Sequence, residues 1–223
     1  MIGSPRVHHR VTDSTNERAK ELAAVGAPHG TLVTADEQMA GRGRQGREWT
    51  APPRSAVLMS LVLHELDELL PLAAAVAVAN ALPHEAAIKW PNDIWIDGRK
   101  VAGILIEGRP QEGWAVLGIG VNVTTREFPS ELAGIATSLA LSGTDEDTES
   151  VLAAVVRSLD GWLSAPPTRV LDTWRSLDAL KGGRVRWSGG EGVASGIDDS
   201  GALLVETSSE AVTLDAGEVH LLR

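Results

Sequence analysis

A chain of 223 residues, 43% of them hydrophobic, is long enough for one sizeable core or for a main domain with a small appendage. Its formal charge of -10 gives no general attraction to nucleic acid or to an anionic membrane surface, and with no cysteine it can build neither a disulfide framework nor a thiolate metal site. The sequence shows no signal-peptide pattern and no apolar run of about 18 residues, so the default expectation is a soluble cytoplasmic protein.

Residues 5–12 alternate polar and apolar loosely enough to predict a first strand. Ser14 with Glu17 then reads as a capping box that opens a helix running through 18–25 to Gly26. A short strand over 31–35 precedes a polar segment, 36–55, whose three glycines and two prolines predict a long loop of the functional kind. Continuous apolar character over 56–63 predicts a buried strand, and the alanine-rich stretch 66–82, closed by Pro83, a helix. Strands follow at 87–90, 94–96, 100–107 and 114–121, with Asp97-Gly98 as a hairpin turn between the second and third. Two further helices are expected over 149–163 and 167–180. Strands gathered between helices without regular βαβ alternation predict an α+β domain over 1–180, a mixed or antiparallel sheet covered by helices. Beyond Lys181-Gly182-Gly183 the texture changes to short strands at 184–187, 192–197, 203–206, 211–214 and 219–222, which predict a small SH3-like β-barrel over 181–223.

Three segments carry candidate chemistry. Gly41 to Gly46 satisfies the G-x-G-x-x-G pattern, but Trp49-Thr50-Ala51-Pro52-Pro53 follows where a dinucleotide fold would open a helix. Glycines let backbone N–H groups approach a phosphate, and Arg42, Arg44 and Arg47 can fork onto its oxygens; a solvated basic turn is the plainer alternative. Trp49 either covers a ligand or pins the loop. Ser14, Thr15 and Asn16 suit a helix cap, and equally a ligand that needs both donors and acceptors. The chain has four lysines against sixteen arginines, and two of the four stand in Lys89-Trp90-Pro91-Asn92-Asp93 and in Gly98-Arg99-Lys100-Val101-Ala102-Gly103. A compact ammonium fits between two anions where the guanidinium fork does not.

These segments, in this order over residues 12 to 122, resemble the central signature of biotin protein ligases, and the C-terminal module is one that such ligases commonly carry. The resemblance implies biotin and ATP as substrates with Mg2+, and a biotin carboxyl carrier protein domain as acceptor. It implies biotin contacts at Ser14, Thr15, Asn16, Gln38, Gly41, Arg42, Gly43, Arg44, Lys100 and Gly103. For ATP and the adenylate it implies Arg44, Arg47, Trp49, Lys89, Asn92 and Lys100, and the segment Gly118-Ile119-Gly120-Val121-Asn122 lies against the ligand. Asn122 serves either the ribose or a turn. Lys100, Arg44 and Asp93 are the catalytic set, and Asp93 is the one side chain offered to a metal. Two unit charges about 4 Å apart repel by roughly 4 kcal/mol at an effective dielectric near 20, and by the family match the Lys100 ammonium cancels that cost when a carboxylate meets a phosphate. Family members that repress transcription carry a winged helix-turn-helix ahead of the Ser-Thr-Asn motif, whereas thirteen residues precede Ser14 here, so no DNA partner is expected, and no membrane partner. The segment 123–136 corresponds to a loop over adenine and lacks the tryptophan that some members have there. A lipoate-type ligase and a nucleic-acid-binding module are the alternatives.

Overall fold

The computed structural model describes residues 1–64 and 66–222. Seven strands, β1 (Arg6–His9), β2 (Leu32–Ala35), β3 (Ala56–Leu63), β4 (Ala87–Lys89), β5 (Asp93–Ile96), β6 (Arg99–Arg109) and β7 (Trp114–Asn122), form one sheet of order β1-β2-β3-β7-β6-β5-β4. Only β1 and β2 run parallel, so the sheet is mixed, as expected. One face is covered by α2 (Leu70–Ala81), α3 (Thr148–Trp162) and α4 (Pro167–Ser176), and α1 (Thr15–Ala24) packs on the other against β3 and β7.

Strand parity explains the division. In β3, Val57, Met59, Leu61 and Leu63 belong to the main core, whereas Val62 joins Ala19, Ala23, Trp114 and Val116 in a smaller cluster under α1. In β7, Leu117, Ile119 and Val121 face the main core, and the intervening positions on the α1 face are Gly118 and Gly120. Each large apolar side chain buried on the core face contributes about 1.5–3 kcal/mol, so that face can hold the sheet while β7 presents glycines beside α1 on the other.

Five short strands, β8 (Arg184–Trp187), β9 (Gly190–Ile197), β10 (Leu203–Glu206), β11 (Ala211–Leu214) and β12 (His220–Leu221), form a second, antiparallel sheet of order β11-β10-β9-β8-β12. It shares one apolar core with the first through Val185, Ile197, Leu203 and Val205. The Trp90 indole, 2% exposed, donates to the Gly201 carbonyl at 3.0 Å, and Arg175 reaches both the Ile197 carbonyl and Asp199.

The hairpin turn stands where expected, with both Asp97 (φ 50) and Gly98 (φ 71) left-handed. The capping box does not form. Ser14 occupies the N-cap without a side-chain hydrogen bond; its N–H donates to Asp13, and the Glu17 carboxylate is taken by Lys20 and Arg42. Helix α2 begins later than the apolar run suggested, after Asp67 accepts from the Leu69 N–H, and α4 ends before Asp178, which accepts from the Leu180 N–H. Among the described residues no helix is long and apolar enough to cross a membrane.

Trp90→Phe removes the indole donor to the Gly201 carbonyl while keeping most of the buried ring. It should cost about 1–2 kcal/mol and lower Tm by roughly 2–4 °C per kcal/mol, in a single transition, because the two sheets share a core. Thermal unfolding by circular dichroism reads both; an unchanged Tm would mean that this bond does not fasten the second sheet.

Candidate active site

The α1 face of the first sheet floors a cavity of about 570 Å3. Gly103 pairs with Gly120 and Leu105 with Gly118, so the centre of the floor is nearly bare backbone. Near the strand start β6 carries a bulge: Ile94 opposes Ala102 but Trp95 opposes Lys100, leaving Val101 extra. Without it Lys100 would point away from the Gly103 face; the extra residue turns Lys100 onto the face shared by Asp93, Trp95 and Gly103. Lys89, opposite Asp93, joins the same face.

One end of the cavity is dominated by uncharged hydrogen-bonding groups. The N–H and hydroxyl of Thr15 donate to Gln38 Oε1 at 2.7 and 3.0 Å, and the buried Ser60 hydroxyl lies 2.8 Å from Thr15 Oγ1 and 2.6 Å from Asn16 Oδ1. Asn16 Nδ2 donates to Glu107 at 2.8 Å, and its oxygen fills the place that a side chain at position 118 would need. Arg42 is held by Glu17 and, at 3.0 Å, by Glu107.

The other end is cationic. Lys100 Nζ lies 2.7 Å from Asp93 Oδ1 and 5.6 Å from the Trp49 ring centre, and Lys89 Nζ lies 5.8 Å from that of Trp95. Burial holds the Lys89 ammonium below the usual lysine range; Asp93 opposes this and Lys100 adds to it. Burial likewise lowers Arg44, whose guanidinium reaches Asn92 Oδ1 at 3.3 Å while Asn92 Nδ2 donates to the Ile104 carbonyl. Arg47 pairs with Glu218 at 3.0 Å. The cavity lining thus sets Arg42, Arg44, Arg47, Lys89 and Lys100 against three carboxylates, Glu48, Asp93 and Glu218, an excess of positive charge suited to a phosphate or carboxylate. Among the described residues no group of three or more His, Cys, Asp or Glu could hold a metal ion, and Asp93 is engaged by Lys100.

The loop 36–55 folds back on itself: the Trp49 N–H donates to the Gly41 carbonyl at 2.9 Å and the Gly43 N–H to the Arg47 carbonyl at 2.7 Å. Trp49 is half-buried, its indole lying on Gly103 and Gly120 with Nε1 buried and, among the described residues, unpartnered. Gly41 stands behind the cavity wall, where a side chain would strike the Trp49 carbonyl; it lets the two arms of the loop meet. The segment after β7 pairs with β6, the Lys100 N–H donating to the Ile135 carbonyl at 2.8 Å, and Asn122 Nδ2 donates to the Thr137 carbonyl at 3.0 Å. Phe128, Leu132 and Ile135 from this segment close the cavity's side.

Every expected site residue other than Gly41 lines this one cavity. The sequence reading missed Ser60, Glu107, Trp95 and Glu218. Ser60 had a signal, as the one polar residue in the apolar run of β3. Glu107 near the end of β6 and Glu218 between β11 and β12 had none, since only the fold brings them here.

The Biotin/lipoate A/B protein ligase family model matches residues 8–123, and the Biotin protein ligase C terminal domain model matches 181–222. The chain is 37% identical to the bifunctional ligase/repressor BirA of Bacillus subtilis over 99% of its own length and 75% of that protein. It is 36% identical to the biotin--[acetyl-CoA-carboxylase] ligase of Mycobacterium tuberculosis, over 95% and 87% of the two chains. The structure of the Aquifex aeolicus biotin protein ligase in complex with biotin and ATP superposes with a TM-score of 0.86 at 30% identity, covering 99% of each chain.

A Gly120→Ala substitution sets a methyl 2.5 Å from the indole and must expel Trp49 from the floor. Fluorescence should red-shift relative to the parent, and the shift should vanish in the Gly120→Ala/Trp49→Phe pair. An emission spectrum unmoved by Gly120→Ala would show that Trp49 does not rest there.

Proposed function

The chain belongs to the biotin/lipoate A/B protein ligase family, and on that premise we propose a role for each end of its cavity. It is a biotin protein ligase, which activates biotin with ATP and passes the biotinyl group to a protein lysine. The observation that supports this most directly is the pairing of a hydrogen-bonding end with a cationic end across a bare glycine floor. Thr15, Asn16 and Gln38 offer donors and acceptors for a cyclic urea, and Ser60 supports Asn16 from behind. The valeryl chain runs from that end over Gly103 and Gly120 once the Trp49 indole has moved off them, and its carboxylate meets Lys100.

The carboxylate oxygen attacks the α-phosphorus of ATP; the new O–P bond forms as the α–β phosphoanhydride bond breaks, and pyrophosphate leaves with the electron pair. Lys100 neutralises charge on the attacking carboxylate and on the phosphoryl oxygens together, and Arg44 with Lys89 supports the phosphates. Trp49, whose N–H lacks a partner, covers the adenine side. The acceptor amine then attacks the acyl carbon, AMP departs, and Asp93 is the carboxylate placed to receive the amine's proton. Asp93, beside Lys100, would be the side chain to hold a magnesium ion brought with ATP, and such an ion would supply positive charge to the phosphates. The acceptor is a carboxylase carrier protein domain in the cytoplasm, with neither DNA nor a membrane as partner, and 181–223 is the module that lends Glu218 to the cavity.

Lys100→Ala should lower pyrophosphate release from biotin and MgATP by about 100-fold or more while the protein still melts cooperatively. The main-chain groups of Lys100 that hold 135–137 are untouched. Lys100→Arg should not restore activity, because the planar fork does not fit between two anions. Near-normal release from Lys100→Ala would overturn the role given to this ammonium.

A further inference from the structure

Glu107 touches neither the cavity nor the cationic end, yet it binds two of the elements that build the hydrogen-bonding end. Its Oε2 accepts from Asn16 Nδ2 at 2.8 Å, and its Oε1 lies 3.0 Å from Arg42 Nη2 and 3.4 Å from Lys20 Nζ. A carboxylate accepts and does not donate, so the amide atom facing Glu107 is the nitrogen. The amide oxygen is thereby directed to Ser60, which donates to it at 2.6 Å, and to the bare backbone of Gly118 in the cavity floor. Ser60 alone cannot set this orientation, because a hydroxyl donates or accepts equally well. With Glu107 present the amide cannot turn over.

We propose that Glu107 is a positioning residue that locks the Asn16 amide with its oxygen toward the ligand, and so makes the site select a ring N–H donor. The proposal rests on the reading of the protein as a biotin ligase and deepens it. A cyclic urea presents such an N–H to Asn16 Oδ1, whose second lone pair remains after Ser60. A ring oxygen at the same place meets a locked acceptor and is rejected. Once Glu107 is removed, the amide is free to turn and to offer its NH2 group instead.

The test measures kcat/KM for pyrophosphate release with biotin and with each of the two cyclic carbamates in which one ureido N–H is replaced by a ring oxygen. The wild-type protein should prefer biotin over one of them by about 100-fold or more, and Glu107→Ala should narrow that ratio to about 10-fold or less, as the freed amide donates to the ring oxygen. Glu107→Leu is made alongside, so that a cooperatively melting variant is available if alanine leaves the strand end underpacked. Ser60→Ala, which leaves Glu107 in place, should keep the wild-type ratio. A Glu107 variant that folds and keeps the wild-type ratio overturns the proposal, and so does an equal loss of the ratio in Ser60→Ala, which would mark general loosening. A wild-type protein that releases no pyrophosphate with biotin and MgATP removes the functional reading itself, and the proposal with it.

Discussion

Everything at this site depends on a sheet whose two faces obey different rules. Along β3, β6 and β7 the core-facing positions are filled by apolar side chains, whereas the outward positions at the centre of β6 and β7 are Gly103, Gly118 and Gly120. A strand with so little side chain on one face is weakly held from that side, since glycine loses more backbone entropy on folding and packs nothing. The core face offsets this, with Met59, Leu61, Leu117, Ile119 and Val121 all nearly inaccessible to water. Period-two alternation thus stabilises the fold with one half of its positions and leaves the other half bare for a ligand. The bulge at Val101 extends the arrangement, because both Val101 and Ala102 join the core while Lys100 turns to the ligand face.

Charge follows the same division of labour. A chain of formal charge -10 gathers Arg44, Arg47, Lys89 and Lys100 at one end of a single cavity, so the local field opposes the global one. Burial lowers the pKa of Lys89, which means that the folded state holds its ammonium less comfortably than the unfolded chain does. For a lysine with a depressed folded-state pKa, stability rises as pH rises through that value toward the unfolded one; below it the fold carries the cost of the charge. An anion in the cavity relieves that cost, so part of the ligand's binding free energy comes from strain already present in the empty site. The Glu17, Lys20, Arg42 and Glu107 group at the other end is mutually compensated and adds little net field there.

How far the sequence revealed all this depends on the range of each interaction. The Asp97-Gly98 turn, the apolar run of β3 and the Lys89 to Asp93 segment are local, and each stands where it was expected. The capping box did not form, and both of its groups have other partners: the Ser14 N–H donates to Asp13, and Glu17 is held by Lys20, one turn away, and by Arg42, far along the chain. The bulge was hidden for a different reason: Val101 and Ala102 are both apolar, and a strand pattern cannot tell an extra residue from a regular one without the register of its neighbour. Glu107 reads in sequence as the polar end of a strand. Its partners, Asn16 and Arg42, come from a helix and a loop that only the folded chain brings beside it.

Two of the contacts that join the C-terminal strands to the rest of the molecule differ in kind. Trp90 is a buried anchor, its ring in the shared core and its N–H on the Gly201 carbonyl, so the second sheet is a fixed part of the molecule. Arg47 and Glu218 instead form a solvent-exposed pair across the cavity mouth, with side chains 56% and 34% exposed, and such a pair is worth about 0–1 kcal/mol. Arg47 can therefore leave Glu218 for a phosphate at little cost, whereas Trp90 cannot leave Gly201 without opening the core. The fixed contact supplies a wall and the weak one supplies a release. A loop that must admit a ligand and then hold it is better served by such a latch than by a second buried anchor.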